Sequence, residues 1–317
     1  MVAYNYGDDE VTVKDAGNSP VEGALVGFSN DATSDWDFDF TDDEGIAWSE
    51  YDIDTNDVIV VTNPNFLPSI RRMGHVTGNA TWSGLVVVSG DLTVDQGASL
   101  TIKPGTKVLF EAYDSMSAGE ATNKCEIKVL GHLIAKGTED DSIFFGPKWS
   151  ANSCSSWYSI SVESNAKASI EYAEIKGAYI GLNLKPGSKD TILYCTFQDN
   201  FLTAIVDSSN DARIAHITID RDSSMNLDAE YGIYLESINT DTAFSLLGNT
   251  IKNYKYGIRA VQCSTRFINN IITSAAPTVP AVYGIHVSTQ SHVDIKECEV
   301  NGKFTHYVHC DTSRINL

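Results

Sequence analysis

A short phrase returns through the second half of this chain: "YGIYLE" at 231–236, "YGIRAV" at 256–261 and "YGIHVS" at 283–288. From about residue 79 onward the sequence is a succession of such β-rich phrases separated by Gly, Asn and Asp, without a 3.6-residue period. A fixed spacing of this size is the mark of a stacked, quasi-one-dimensional architecture. Aligning on the small residue ahead of an apolar one gives Gly181-Leu182, Ala204-Ile205, Gly232-Ile233, Gly257-Ile258, Gly284-Ile285 and, at the last rung, Tyr307-Val308, at steps of 23, 28, 25, 27 and 23 residues. A second apolar column runs through Ile175, Phe197, Ile219, Ile251, Ile272 and Val300. Two columns per turn predict two strands per coil. One coil cannot bury its inward face alone, so each must rest on the next. The Asn residues of "GNTI" and "NNII" suit left-handed turn positions and can ladder through their side chains.

Charge divides the chain unevenly. Residues 1–75 hold 16 acids and 3 bases, residues 76–317 hold 26 and 19, and the formal total is −20. Two units with different surfaces are expected, 1–75 and 76–317. An acidic chain of this kind does not suit a phosphate backbone, so a nucleic acid is not expected as partner. There is no apolar run long enough for a membrane span. The opening "MVAYNYGDDE" lacks the basic and apolar segments of a signal peptide, as expected of a mature form or an excised piece.

In the acidic part, "EVTVKDAGNSPVEGALVGF" and "DVIVVTNPNFLPSI" alternate around Gly and Pro and read as strands joined by turns. "VKDAGNSPVEGALV", "TDDEGIAW" and "VIVVTNPNFLP" together resemble a small β-sandwich, seen in carboxypeptidase regulatory-like modules and in the immunoglobulin-like domain of gingipain-type peptidases. That resemblance covers roughly 10–75 and implies a spacer or adhesion module. "DWDFDFTDDEG" places Asp35, Asp37 and Asp39 on one strand face with Asp42 in the next turn, where carboxylate oxygens could converge on calcium. The spacing is not that of an EF-hand, and a solvated acidic strand edge is the plainer reading.

In the remainder, "SGDLTVDQGASLTIKPGTKVLF", "CEIKVLGHLIAKGTEDDSIFF", "WYSISV" and "ASIEYAEIKG" resemble the opening coils of right-handed parallel β-helices of the pectate-lyase-like superfamily. The resemblance covers about 79–317. It implies an all-β fold, a right-handed parallel β-helix preceded by a small N-terminal β-sandwich, and an extracellular or cell-surface setting.

If Ile233, Ile258, Ile285 and Val308 face inward, the next residues form an outward column of Tyr234, Arg259, His286 and His309, extended by Asn183 and Val206. An aromatic, a guanidinium and two imidazoles in line suit the carboxylates and ring faces of an acidic sugar chain. Strict alternation puts Tyr231, Tyr256 and Tyr283 on the inward side, as an aromatic stack packing the corner in preference to a sugar platform. The longest interval between coils, 204 to 232, carries Asp220, Arg221, Asp222, Asp228 and Glu230. If the chain is a lyase or hydrolase, Asp220, Asp222 and Asp228 with Arg259 are the candidate catalytic groups; the preferred reading is a loop that tolerates insertion. "INTDT" contains a tripeptide seen in polygalacturonases, but its companion elements are absent, and Asp241 is assigned to a turn. Six cysteines show no zinc-type spacing; Cys125 and Cys154 are placed to bridge, and Cys195 and Cys298 read as small buried hydrophobes. No metal is expected at His306 and His309 unless the corner joins their rings. No cofactor is required, calcium being the one considered. Three functions remain: a non-catalytic module binding a polysaccharide or a cell-surface protein, a polysaccharide lyase or glycoside hydrolase, and a structural stalk assembling end to end.

Overall fold

The computed structural model describes residues 3–6, 9–14, 19–30, 33, 35–50, 53, 57–63, 66–149, 155–222, 230–238, 245–275 and 281–317. From residue 79 the chain winds as a parallel β-helix with three strands per coil. Ladder A holds ten parallel strands, from Asn79–Trp82 to Arg314–Asn316. Ladder B runs from Lys107–Phe110 to Glu299–Gly302, and ladder C from Ile127–Val129 to Phe304–Cys310. In the first coil the strand Leu85–Val94 passes through both B and C without a corner.

Both expected columns are there. Leu182, Ile205, Ile233, Ile258, Ile285 and Val308 are successive partners on ladder C. Ile175, Phe197, Ile219, Ile251, Ile272 and Val300 are partners on ladder B. The expectation of two strands per coil is corrected by ladder A, whose inward residues include Ile170, Ile192, Ile214, Leu246, Phe267 and Ile295, all buried. Its signal is obscured because the corner between A and B is a single residue in the left-handed region: Tyr172, Tyr194, His216, Gly248, Asn269 and Glu297 all have φ between 48° and 65°. Stacking partly offsets the strain at the bulky ones, with Tyr172 on Tyr194 at 4.9 Å and Tyr194 on His216 at 5.2 Å between ring centroids.

Just inside this corner lies a buried amide ladder. Asn270 Oδ1 accepts from Asn249 N at 3.1 Å and Asn249 Nδ2 at 3.0 Å, while Asn270 Nδ2 donates to Leu246 O at 2.7 Å. The main-chain groups that a sharp corner leaves unpaired are satisfied from one rung to the next. Further back, Asp190 occupies an inward position of ladder A beside Ala168. It accepts hydrogen bonds from Ala168 N and Ser188 Oγ at 2.9 and 2.6 Å, and burial pushes its carboxyl up to about 7.

Residues before 79 are antiparallel. Ala3–Tyr6, Glu10–Lys14 and Ile46–Trp48 form a three-stranded sheet. Trp36–Phe40, Leu25–Asn30, Asp57–Asn63 and Phe66–Val76 pair in that order. Val11, Val13 and Ala47 share an apolar cluster with Val26, Phe28, Ile59 and Val61, separate from the coil's core. The strand Phe66–Val76 then changes partner and runs parallel to Leu85–Val94. Antiparallel and coiled parts are thereby joined by main-chain hydrogen bonds as well as by the chain.

Candidate functional site

The outer face of ladder C differs from that of the other two ladders. Asn183, Val206, Tyr234, Arg259, His286 and His309 are consecutive register partners, so the expected column exists as one row. Neighbouring rungs sit about 4.8 Å apart, so the side chains touch.

The row is wider than alternation implies. Tyr231, Tyr256 and Tyr283 face outward, correcting the inward stack expected for them. Tyr231 lies 5.1 Å from Tyr234, and Tyr283 stacks on His286 at 4.5 Å. The cause is the glycine that follows each tyrosine. A Cβ on Gly232 or Gly257 would stand 2.6 Å from the carbonyl oxygen of Gly257 or Gly284 on the next rung. A side chain at these two rungs would collide with the next one, although Ala204 holds the same place one rung before Gly232; the glycine and the Ile that follows it are both buried. Two successive inward residues shift the tyrosine to the outside.

Tyr231, Tyr256 and Tyr283 follow one another at 5.0 and 5.3 Å, and His306 continues them at 5.0 Å. Arg259 lies over the rings of Tyr231 and Tyr256, its guanidinium carbon 5.6 and 5.4 Å from their centroids. Its Nη1 donates to Tyr231 Oη at 3.3 Å, while its Nε is buried without a hydrogen-bond partner. Among the described residues no carboxylate forms an ion pair with Arg259. Burial raises the Tyr231 and Tyr234 phenols, so both stay protonated donors at neutral pH. Just before the same ladder, Tyr158, Tyr179 and Phe201 stack at 5.7 and 5.5 Å and carry the aromatic surface to earlier coils.

At the far end, His286 Nε2 faces Asp311 Oδ2 at 3.0 Å and His309 Nε2 faces Asp311 Oδ1 at 2.8 Å. These bonds hold the Asp311 carboxyl below its ordinary range. The ring of His306 lies 5.1 Å from that of His309, so the corner does bring the two imidazoles together. Asp311 was not singled out in the sequence, because it follows the strand in a turn where no periodicity points to it.

The other sequence candidates are scattered. Asp220 ends a ladder B strand, where Lys252 Nζ lies at 3.6 Å and Asn253 Nδ2 at 3.3 Å. Asp222 follows it and its backbone N donates to Asp199 Oδ1 at 2.8 Å. Arg259 is engaged with tyrosines on ladder C, so these groups are not assembled into one cluster. Asp228, Asp241 and Cys154 lie outside the described residues. Arg221 is buried. Cys125, Cys195 and Cys263 are buried thiols, and Cys298 is half-buried.

The acidic strand is turned over relative to expectation. Trp36, Phe38 and Phe40 face solvent at 73%, 56% and 57% exposure. Asp37 and Asp39 point toward the neighbouring sheet edge, where Asp37 Oδ2 accepts from Glu50 N at 2.8 Å and Asp39 Oδ2 from Trp48 N at 3.0 Å. Asp42 Oδ1 accepts from Glu44 N and Ile46 N, both at 2.9 Å. Main-chain amides thus occupy oxygens of Asp37, Asp39 and Asp42, and among the described residues Asp35, Asp37, Asp39 and Asp42 do not form one ligand set. Among the described residues, the three-residue group with ligand atoms all within 4.8 Å of one another is His286, His309 and Asp311.

Fold and site together define a parallel β-helix with an aromatic and cationic strip on one face. No protein-family model matches the chain, and no curated protein matches it. Among solved structures it is similar to a double mutant of the periplasmic alginate epimerase AlgG, at 12% identity over 78% of each chain with a TM-score of 0.30. At that identity and score, the functional reading rests on the strip's own geometry. Among the described residues, no helix is long and apolar enough to cross a membrane.

Proposed function

We propose that this chain is a non-catalytic extracellular or cell-surface module that holds an extended acidic glycan along ladder C. Its coil is taken as right-handed, as parallel crossovers almost always are, with residues 1–75 as a small immunoglobulin-like sandwich serving as spacer. The observation that carries the reading is Arg259: a guanidinium that forms no ion pair among the described residues, set between tyrosine rings, on a chain of formal charge −20. A half-buried cation beside aromatic faces is arranged to take a carboxylate from outside while the rings stack on sugar. Tyr234, His286 and His309 extend the grip along neighbouring rungs.

One contact favours a second reading. Arg259 Nη1 lies 3.3 Å from the phenol of Tyr231, so a uronate neutralised by Arg259 would lie beside a group able to transfer a proton, as a polysaccharide lyase requires. Incubation with polyuronates and neutral glycans, followed by calorimetry and by polymer chain length, separates the two. The module binds a polyuronate and leaves its length unchanged; a lyase shortens it; absence of binding to every polymer refutes both.

A further inference from the structure

We propose that His286, His309 and Asp311 form a binding site for a divalent transition-metal ion, zinc foremost, at the end of the ladder C strip. The argument starts from register. His286 on Ala281–Ser288 and His309 on Phe304–Cys310 are direct partners one rung apart. Asp311 follows the second strand at once, and its backbone N is tied to Val287 O at 2.9 Å. The rungs therefore set the two imidazoles and the carboxylate side by side before any ligand arrives.

Their ligand atoms all lie within 4.8 Å of one another, with both Nε2 atoms turned to the same carboxylate. Zinc bonds to imidazole nitrogen and carboxylate oxygen at about 2.0–2.2 Å and needs its donors roughly 3.4 Å apart. Rotation of the more exposed His309 and Asp311 closes that gap, while His286 is buried and fixed. Bound zinc would replace the Nε2 contacts to Asp311, each imidazole staying neutral with its one proton on Nδ1 and any second proton leaving to solvent. Two imidazoles and one carboxylate select zinc, copper or nickel over calcium and magnesium, which prefer all-oxygen shells. The side chain of His286 is 8% exposed against 31% for His309 and 54% for Asp311, so the site has one protein wall and one open side. Solvent or a ligand oxygen completes the shell there.

The support around the site also sets its strength. His286 Nδ1 is buried without a hydrogen-bond partner, and its ring is held by stacking on Tyr283 at 4.5 Å and Tyr256 at 5.9 Å. A metal-bound imidazole normally donates its second N–H, and losing such support costs about 10- to 100-fold in affinity. The expected binding is therefore micromolar rather than tight.

The proposal does not depend on the glycan reading, because it shares one end of the strip and not its ligand. The test is calorimetric titration of the chelator-treated full chain with zinc chloride, without glycan, in a non-coordinating buffer. One zinc per chain is expected, undisplaced by excess calcium, with at least a ten-fold weaker affinity in His309→Ala and in Asp311→Ala. Both altered residues are accessible, and unchanged melting temperatures would show that the fold persists. His75→Ala, which removes another histidine hydrogen-bonded to a carboxylate, should bind as the parent does. No saturable zinc binding, displacement by calcium, or full affinity in both His309→Ala and Asp311→Ala would overturn the site. Polyuronate titrations of the same metal-free protein report on the glycan reading separately.

Discussion

Ladder C and its two neighbours share one coil, one rung spacing and one apolar core, yet their outer faces obey different rules. On ladders A and B several cations are paired with acids on neighbouring rungs: Lys136 with Glu171 at 2.7 Å, Arg266 with Asp294 at 3.5 Å, Lys252 with Asp220 at 3.6 Å. On ladder C the corresponding positions hold stacked tyrosines, two histidines that share Asp311, and Arg259, which among the described residues forms no ion pair. Opposite charges facing across strands are the ordinary solution for a solvated sheet. The run of tyrosines around an arginine without an ion pair among the described residues is where, on the proposed reading, a ligand would supply the opposite charge.

The comparison can be broken most severely from inside. Gly257→Val places a side chain against the Gly284 carbonyl and should destabilise the coil by about 3 kcal/mol or more. Strip and ion pairs would then be lost together in thermal unfolding. Asn270→Ala removes the acceptor of Asn249 N and the donor to Leu246 O, at a cost of about 1–3 kcal/mol, again without regard to face.

Next in size are variants that should touch ladder C alone. Arg259→Ala or Tyr256→Ala should weaken polyuronate binding about ten-fold, or roughly 1.4 kcal/mol, with little change in melting temperature. An equal loss of stability in both would argue that the row is packing rather than a binding surface.

A pH series sharpens the contrast between interior and surface. Burial pushes the Asp91 and Asp190 carboxyls up to about 7 from an ordinary 3.8. Between roughly pH 4 and 7 the folded state thus binds more protons than the unfolded chain. Stability falls as pH rises through that window and levels off above it. Asp190→Asn should flatten part of this slope, since the amide oxygen still accepts from Ala168 N and the amide NH2 can donate to Ser188 Oγ, whose own proton goes to Lys185 O. A melting temperature that rises with pH across the window would contradict the assignment. The smallest effect is expected on ladder B, where Lys252→Ala breaks a solvent-exposed ion pair worth about 0–1 kcal/mol and leaves glycan binding intact.

How much of this was readable beforehand follows from which features have a period. The columns through Ile258 and Ile272 were legible because aliphatic residues recur at one place per coil. The row Tyr234, Arg259, His286 and His309 followed from the first column by counting one residue outward. Ladder A was hidden because "ASIEYAEIKG" reads as one phrase, whereas Tyr172 at φ 48° folds it into two strands. The outward turn of Tyr231, Tyr256 and Tyr283 was hidden by a corner that breaks alternation. Asp37 and Asp39 were identifiable as sharing a face, but not which face. Alternation fixes parity, and only the partner strand, where Asp37 meets Phe28 and Asp39 meets Val26, decides which side is inward. Asp311 belongs to no repeat and becomes significant only beside His286 and His309.

The central claim is that ladder C, and not the coil in general, is the functional face. Its most direct test is calorimetric titration of a polyuronate into the parent chain, Arg259→Ala and Lys252→Ala at matched ionic strength. Binding to the parent, lost in Arg259→Ala and kept in Lys252→Ala, is the predicted result. Equal affinity in all three, or an equal loss in both variants, would contradict it.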